Sequence, residues 1–281
     1  MANYSLADIK ALREKTGAGM LDVKKALEEA EGDADRALEI IRVKGLKGVG
    51  KREGRAASDG LVAAHVGPTA DGEGQTAVLL EVNSETDFVA KSQAFISLAD
   101  RVLAAAVATG ARDADALTGA EYEGTTVQNI VDETAATLGE RVVVRRLARV
   151  AGEHVEVYLH KVNKDLPPQV GVLVATDAAG AAVARDIATH IAAFSPQYLT
   201  RDEVPAETVE SERKIAEETA RNEGKPEAAL PKIVEGRLNG FFKDAVLVDQ
   251  PLAKDTKTTV AKHVATTGGT LLGFVRFRVG S

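Results

Sequence analysis

The first 45 residues carry apolar positions at helical spacing. Leu6, Ile9 and Leu12 recur every three residues, and two further groups of this kind follow after glycine-containing breaks. This pattern predicts three short helices over 5–44, with Gly45 at the end of the third. A module of about 40 residues has only a small core of its own, so we expect it to lean on the rest of the chain or on a partner.

From residue 59 onward the pattern changes to short β-branched and aliphatic runs. The segments that predict strands are 61–66, 77–82, 141–150, 155–160, 170–175 and 270–279. Two of the hairpins so formed are each followed by a helical pattern, and this repetition predicts two related antiparallel sheet-plus-helix subdomains. We assign them to 59–150 and 151–281.

Residues 205–243 interrupt the second subdomain. The segment is rich in Glu, Lys, Arg and Ala, with Pro226 and Pro231 near its middle. This composition predicts two helices in an antiparallel hairpin that projects from the core, because no heptad persists long enough for a coiled coil. The hairpin offers a surface for a homodimer, which the sequence leaves open. Together the elements predict an α+β fold.

A basic segment joins the helical module to the first subdomain. Lys47, Lys51, Arg52 and Arg55 lie within 46–58 among glycines, without aromatic residues for base stacking. We interpret the segment as a solvated linker and predict no direct contact with nucleic acid. The spacing of Gly45, Gly50 and Lys51 resembles a phosphate-binding loop, but Arg follows the lysine where Ser or Thr would bind magnesium.

Composition narrows the candidate chemistry. The 281 residues include no cysteine, which excludes disulfides and thiolate metal sites, and the net charge of −7 disfavours broad binding to phosphate backbones. No apolar stretch is long enough to span a membrane, and the start does not resemble a signal peptide, so a cytoplasmic location is expected. The sequence predicts no metal site, no cofactor and no enzymatic activity. Glu81 and Asp87 are a candidate acid–base pair. We interpret His190 as a helix-face residue.

The stretch 83–91 sets an aromatic residue in polar surroundings between a strand and a helix. We expect Thr86 or Asp87 to cap a helix that runs on past Phe95, which places Phe88 at the corner. An aromatic side chain at such a corner can anchor a partner. The alternative is a local staple, in which Phe88 packs on Phe95 or on the helix that it introduces.

Four runs, in order along the chain, resemble bacterial elongation factor Ts. They are Thr16 to Leu27 followed by Glu31-Gly32-Asp33, the run Thr86-Asp87-Phe88-Val89, the run Val234-Glu235-Gly236-Arg237, and the strand from Gly273 to Phe277. The resemblance covers nearly the whole chain. It implies a ubiquitin-associated-like (UBA-like) helical module at the N-terminus and a guanine-nucleotide exchange factor for elongation factor Tu in translation elongation.

The resemblance also implies roles for particular residues. In this family Thr86, Asp87, Phe88 and Val89 match the corner that inserts beside the partner's phosphate site and displaces its magnesium ion. Arg13, Met20 and Leu21 match positions that contact the partner's nucleotide-binding domain, and His160 matches a position that faces its third domain. Met20 and Leu21 have an alternative role, which is to close the core of the helical module.

Two further expectations accompany the resemblance. Longer family members continue with a helical C-terminal module, so we expect the affinity or exchange rate to differ in a chain that ends at Ser281. The competing hypothesis is a scaffold whose UBA-like module binds another translation or chaperone client and leaves GDP release unchanged.

Overall fold

Two three-stranded antiparallel sheets form the centre of the computed structural model, which describes residues 3–281. The strands are β1 (Asp59–Pro68), β2 (Gln75–Ser84), β3 (Glu121–Tyr122), β4 (Thr125–Thr126), β5 (Val142–Gly152), β6 (His154–His160), β7 (Val170–Thr176), β8 (Pro251–Leu252), β9 (Asp255–Thr259) and β10 (Leu271–Arg278). The helices are α1 (Leu6–Thr16), α2 (Met20–Glu29), α3 (Ala34–Val49), α4 (Asp87–Ala90), α5 (Gln93–Thr109), α6 (Ala114–Gly119), α7 (Val127–Leu138), α8 (Ala181–Phe194), α9 (Ala206–Asn222), α10 (Leu230–Ala245) and α11 (Val260–Ala265). The predicted α+β fold is confirmed.

The two sheets pack face to face, with helices covering both outer sides. In β2, Val78 and Leu80 point to the cluster formed with α5 and α7, whereas Ala77 and Leu79 point to the other sheet. The central strand β7 alternates in the same way between α8 and the first sheet. Both central strands are therefore buried on two faces, which is why they appear in the sequence as continuous apolar runs.

The sheets share one topology, as the repeated sequence pattern predicts. The strand order is β1-β2-β5 in the first sheet and β6-β7-β10 in the second. In each sheet the third strand pairs with the second strand of the hairpin, which is therefore the central strand. Both third strands return only after intervening helices. The division at residue 150 stays a prediction.

The N-terminal module contains the three predicted helices, and Ser5 and Asp8 begin α1 with a reciprocal capping box. The expectation that Gly45 ends the third helix is wrong. Helix α3 continues to Val49 and a short 3-10 turn follows, so much of the predicted linker is helical. Gly45 is buried against α7, where a Cβ atom would lie 2.1 Å from the carbonyl oxygen of Ala136. The glycine allows two helices to approach closely.

Helices α9 and α10 form the predicted hairpin, called here the helical arm. Their contact is a small apolar cluster of Ala216, Val234 and Leu238, separate from the clusters of the two sheets. Ile215 on α9 is exposed. Self-association through the arm stays a prediction. The sequence analysis missed α6, α11 and the two-residue and five-residue strands, since such short elements carry little periodicity.

Candidate functional site

The corner between β2 and α5 is built from two caps. Thr86 accepts a hydrogen bond from the Val89 amide at 3.4 Å and begins α4, and Ser92 accepts one from the Phe95 amide at 3.3 Å and begins α5. The prediction that Thr86 or Asp87 caps a single helix through Phe95 is therefore wrong in its extent. The cap at Ser92 begins a new helix, so α4 is a separate one-turn helix that forms the corner.

Phe88 projects from this corner into solvent. Its side chain is 73% exposed, whereas its neighbours Val89 and Ala90 are buried and Phe95 is fully buried in the core. The alternative staple of Phe88 on Phe95 is therefore wrong. The ammonium group of Lys91 lies 4.5 Å from the ring centroid, a cation–π contact.

Asp87 also faces outward, beside the aromatic ring. Its carboxylate lies 3.5 Å from the Lys91 ammonium, an exposed ion pair one helical turn apart. Glu81, by contrast, is buried and accepts a hydrogen bond from Arg146 Nε at 2.6 Å. The suggested acid–base pair of Glu81 and Asp87 is wrong, because Glu81 is buried and paired with Arg146, whereas Asp87 is exposed and paired with Lys91.

Glu140 contacts the corner from the short connection between α7 and β5. One carboxylate oxygen accepts from the Thr86 amide at 3.0 Å, and the other accepts from the Thr86 hydroxyl at 2.6 Å. In return, Glu85 accepts from the Arg141 amide at 2.6 Å. Sequence analysis missed Glu140 because it lies 54 residues from Thr86 and no motif marks it.

Helix α1 brings Arg13 to the same place. An open cleft of about 490 Å³ is lined by Arg13 on one side and by Phe88, Val89 and Leu138 on the other. Two of the predicted contact groups, the corner and Arg13, thus share one surface. This surface combines a cation with an exposed aromatic side chain.

Met20 and Leu21 lie at the start of α2, away from the lining of this cleft. Their exposed fractions are 52% and 70%, while Val23 and Leu27 form the core of the module. The alternative role of closing the core is therefore wrong for both residues. They present an apolar patch to solvent.

The predicted histidines take different positions. His160 ends β6 in an exposed position, 3.2 Å from the Tyr158 hydroxyl, and does not line the cleft. His190 lies on α8, as its interpretation as a helix-face residue expects, and the face that carries it is fully buried. Its ring accepts a hydrogen bond from the Ala253 amide and contacts Gln250 at 2.8 Å, and burial lowers its pKa.

Two features are absent from residues 3–281. No group of three or more His, Asp or Glu side chains is placed to hold a metal ion there. No helix in the same range has the length and apolar character needed to cross a bilayer. Gly45, Gly50 and Lys51, whose spacing resembles a phosphate-binding loop, lie in α3 and the turn that follows it. A helix, not the strand that such a loop requires, therefore precedes the turn.

The fold and the corner define an α+β protein whose candidate site is an exposed contact surface. A family model described as "Elongation factor TS" matches residues 85–281, a range that begins at the corner. Proteins named elongation factor Ts from Beutenbergia cavernae, Micrococcus luteus and Renibacterium salmoninarum are 69%, 64% and 61% identical to the chain, each over 100% of both chains. The chain belongs to the elongation factor Ts family of translation elongation factors.

Proposed function

We propose that this protein is a guanine-nucleotide exchange factor for elongation factor Tu. The observation that carries the proposal is the exposed aromatic ring of Phe88 on a corner that matches the family's run. An exposed aromatic side chain on a surface corner between a strand and a helix suits an anchor that a partner buries. Family membership supplies the identity of that partner.

The proposed mechanism is thermodynamic coupling and needs no bond chemistry. A factor that binds nucleotide-free Tu more tightly than GDP-bound Tu must weaken GDP binding by the same ratio. Insertion of the corner beside the partner's phosphate site would displace the magnesium ion and so lower GDP affinity. Burial of the Phe88 ring supplies roughly 2–3 kcal/mol toward this exchange.

Other exposed residues extend the proposed contact. Arg13 lies across the cleft from Phe88 and suits an acidic or polar surface of the partner's nucleotide-binding domain. Met20 and Leu21 add exposed apolar area on the same module, and methionine adapts well to a partner's surface. His160, on the second sheet, is assigned to the partner's third domain. The factor acts in the cytoplasm, where elongation takes place.

A GDP release assay tests the proposal. Elongation factor Tu loaded with fluorescent GDP is mixed with excess unlabelled GDP, with and without this protein. We expect the protein to accelerate loss of fluorescence at substoichiometric concentration, and excess GDP to compete with its binding in a pull-down. Binding of Tu or of unfolded client proteins without acceleration would contradict the proposal and favour the scaffold hypothesis.

A further inference from the structure

We infer that Glu140 is a positioning residue for the exchange corner, holding Thr86 so that Phe88 projects in a fixed direction. This inference rests on the proposed function. It concerns a residue outside the corner's own run, which lies in the short connection between α7 and β5.

The corner needs support from outside, because α4 is too short to support itself. It has four residues, and a single helical turn is unstable without external contacts. Phe88 is mostly exposed, so packing of the ring cannot fix its direction. The direction is set by the backbone on either side, by buried Val89 and Ala90 after it and by residues 84–86 before it.

Residues 85–86 and 140–141 exchange side-chain-to-backbone hydrogen bonds. Glu140 accepts from the Thr86 amide at 3.0 Å, and Glu85 accepts from the Arg141 amide at 2.6 Å. Ser84 adds a hydroxyl bond to the Thr86 carbonyl at 3.0 Å. Each carboxylate thus holds the backbone beside the other carboxylate, which joins the two segments at two points.

A carboxylate of this length is required by the geometry. The two Glu140 oxygens accept from the amide and from the hydroxyl of Thr86 simultaneously. A glutamine has one acceptor oxygen and can keep one of these bonds, whereas an alanine keeps neither. The effect should therefore be graded, with glutamine between the wild type and alanine.

Glu140 also connects the corner to the N-terminal module. It follows Gly139, whose left-handed backbone ends α7, and α7 is the helix on which α3 packs through Gly45 and the Arg42–Glu133 ion pair. The Thr86–Glu140 contact therefore fixes the corner relative to the helix that carries the module. The two parts of the proposed contact surface are held in one arrangement.

The test compares Glu140→Gln and Glu140→Ala with Glu123→Gln as a matched control. Glu123, in the β3–β4 turn, is an exposed glutamate that pairs with Arg101 of α5, so the control also removes one charge and weakens one side-chain contact. Four quantities are measured: the rate of GDP release at saturating factor, the factor concentration at half-maximal rate, hydrogen exchange of the amides in residues 87–90, and the thermal unfolding midpoint.

We expect Glu140→Ala to lower the saturated rate about tenfold, since displacement of a functional group by about 1 Å is costly. The half-maximal concentration should change much less, the amides of 87–90 should exchange faster, and the thermal unfolding midpoint should stay near that of the control. Glu140→Gln should recover part of both the rate and the amide protection.

Separate outcomes overturn the inference and the proposed function. Unchanged amide exchange in Glu140→Ala would overturn the inference, and so would faster amide exchange with a full saturated rate. If wild-type protein does not accelerate GDP release, the proposed function fails and the positioning role falls with it. The amide exchange data would then still show whether Glu140 orders the corner.

Discussion

At the scale of single residues, two phenylalanines seven positions apart have opposite environments. Phe95 is fully buried under the first sheet, and Phe88 is 73% exposed. The sequence placed both near a strand-to-helix corner but could not decide between a staple and an exposed anchor. The structure decides it: Val89 and Ala90 of α4 pack in the same core cluster as Phe95, and Phe88 is left on the solvent side of the turn.

The residues of the corner could be found from the sequence because they are contiguous and form a family run. The residues that hold it could not. Glu140 and Arg141 meet Thr86 and Glu85 only when β5 pairs with β2, and that pairing depends on the whole sheet. A contact made across more than 50 residues leaves no local pattern to detect.

His190 provides a prediction about pH. The Ala253 amide donates to Nδ1 at 3.1 Å, so the ring is neutral with its proton on Nε2, directed to Gln250 Oε1 at 2.8 Å. Burial lowers the pKa of His190 below its ordinary value of 6.5, although the Gln250 bond opposes this. Between those two pKa values the unfolded chain binds a proton that the folded chain does not.

We therefore expect the free energy of unfolding to be highest above about pH 6.5 and to fall as the pH drops toward the lowered pKa. Urea unfolding of wild type and His190→Gln at pH 7.5 and 5.5 measures this. The variant should be less stable at pH 7.5 but should lose less on acidification. Equal losses in both proteins would rule out His190 as the source.

At the scale of helices and strands, most elements followed their sequence patterns. The boundaries failed where a tertiary contact replaced a local preference. Glycine disfavours helix interiors, so Gly45 was expected to end α3, yet the helix continues because this glycine lies against the Ala136 backbone. The cost of a glycine inside the helix is offset by the close packing of α3 against α7.

The contact at Gly45 predicts the effect of one added methyl group. In Gly45→Ala the Cβ atom would lie 2.1 Å from the Ala136 carbonyl oxygen, so α3 must move away from α7. We expect a loss of about 1–3 kcal/mol in the free energy of unfolding and faster proteolysis within the N-terminal module.

Gly50→Ala is the matched control for this change. Gly50 has helical dihedral angles (φ −59°, ψ −27°), and no atom lies within 4 Å of the position that its Cβ would take. This variant should be neutral or more stable by up to about 1 kcal/mol. Equal destabilisation of both variants would show that the contact with α7 does not set the effect.

At the scale of the whole molecule, the sequence predicted the strands and their repetition but not how the sheets meet. The four-layer arrangement depends on which face of each central strand receives the helices. Both faces of β2 and β7 are apolar, so their patterns alone could not assign them. Polar links also join the sheets, and in one of them Arg146 of β5 donates to the Arg278 carbonyl of β10 at 2.8 Å.

Substitution of Arg146 measures how much its contacts contribute to stability. Arg146 also pairs with Glu81, whose side chain is 1% exposed, so Arg146→Ala would leave a buried carboxylate without its partner. We expect a loss of about 3 kcal/mol in the free energy of unfolding. Urea unfolding, with Arg101→Ala as a control for an exposed pair, measures it.

The control should lose at most about 1 kcal/mol, because the Arg101–Glu123 pair is solvated. Addition of Glu81→Gln to Arg146→Ala should restore part of the lost stability by removing the unpaired charge. If Arg146→Ala loses no more than the control, the buried pair contributes no more to stability than the exposed one.

The most direct test of the account compares Phe88→Ala with Phe194→Ala in the GDP release assay. Phe194 is a second exposed aromatic side chain, at the end of α8 and outside the proposed surface. Loss of roughly 2–3 kcal/mol of ring burial predicts a release rate at least about 30-fold lower for Phe88→Ala. Phe194→Ala should stay close to wild type. A full rate for Phe88→Ala, with the fold intact, would contradict the account.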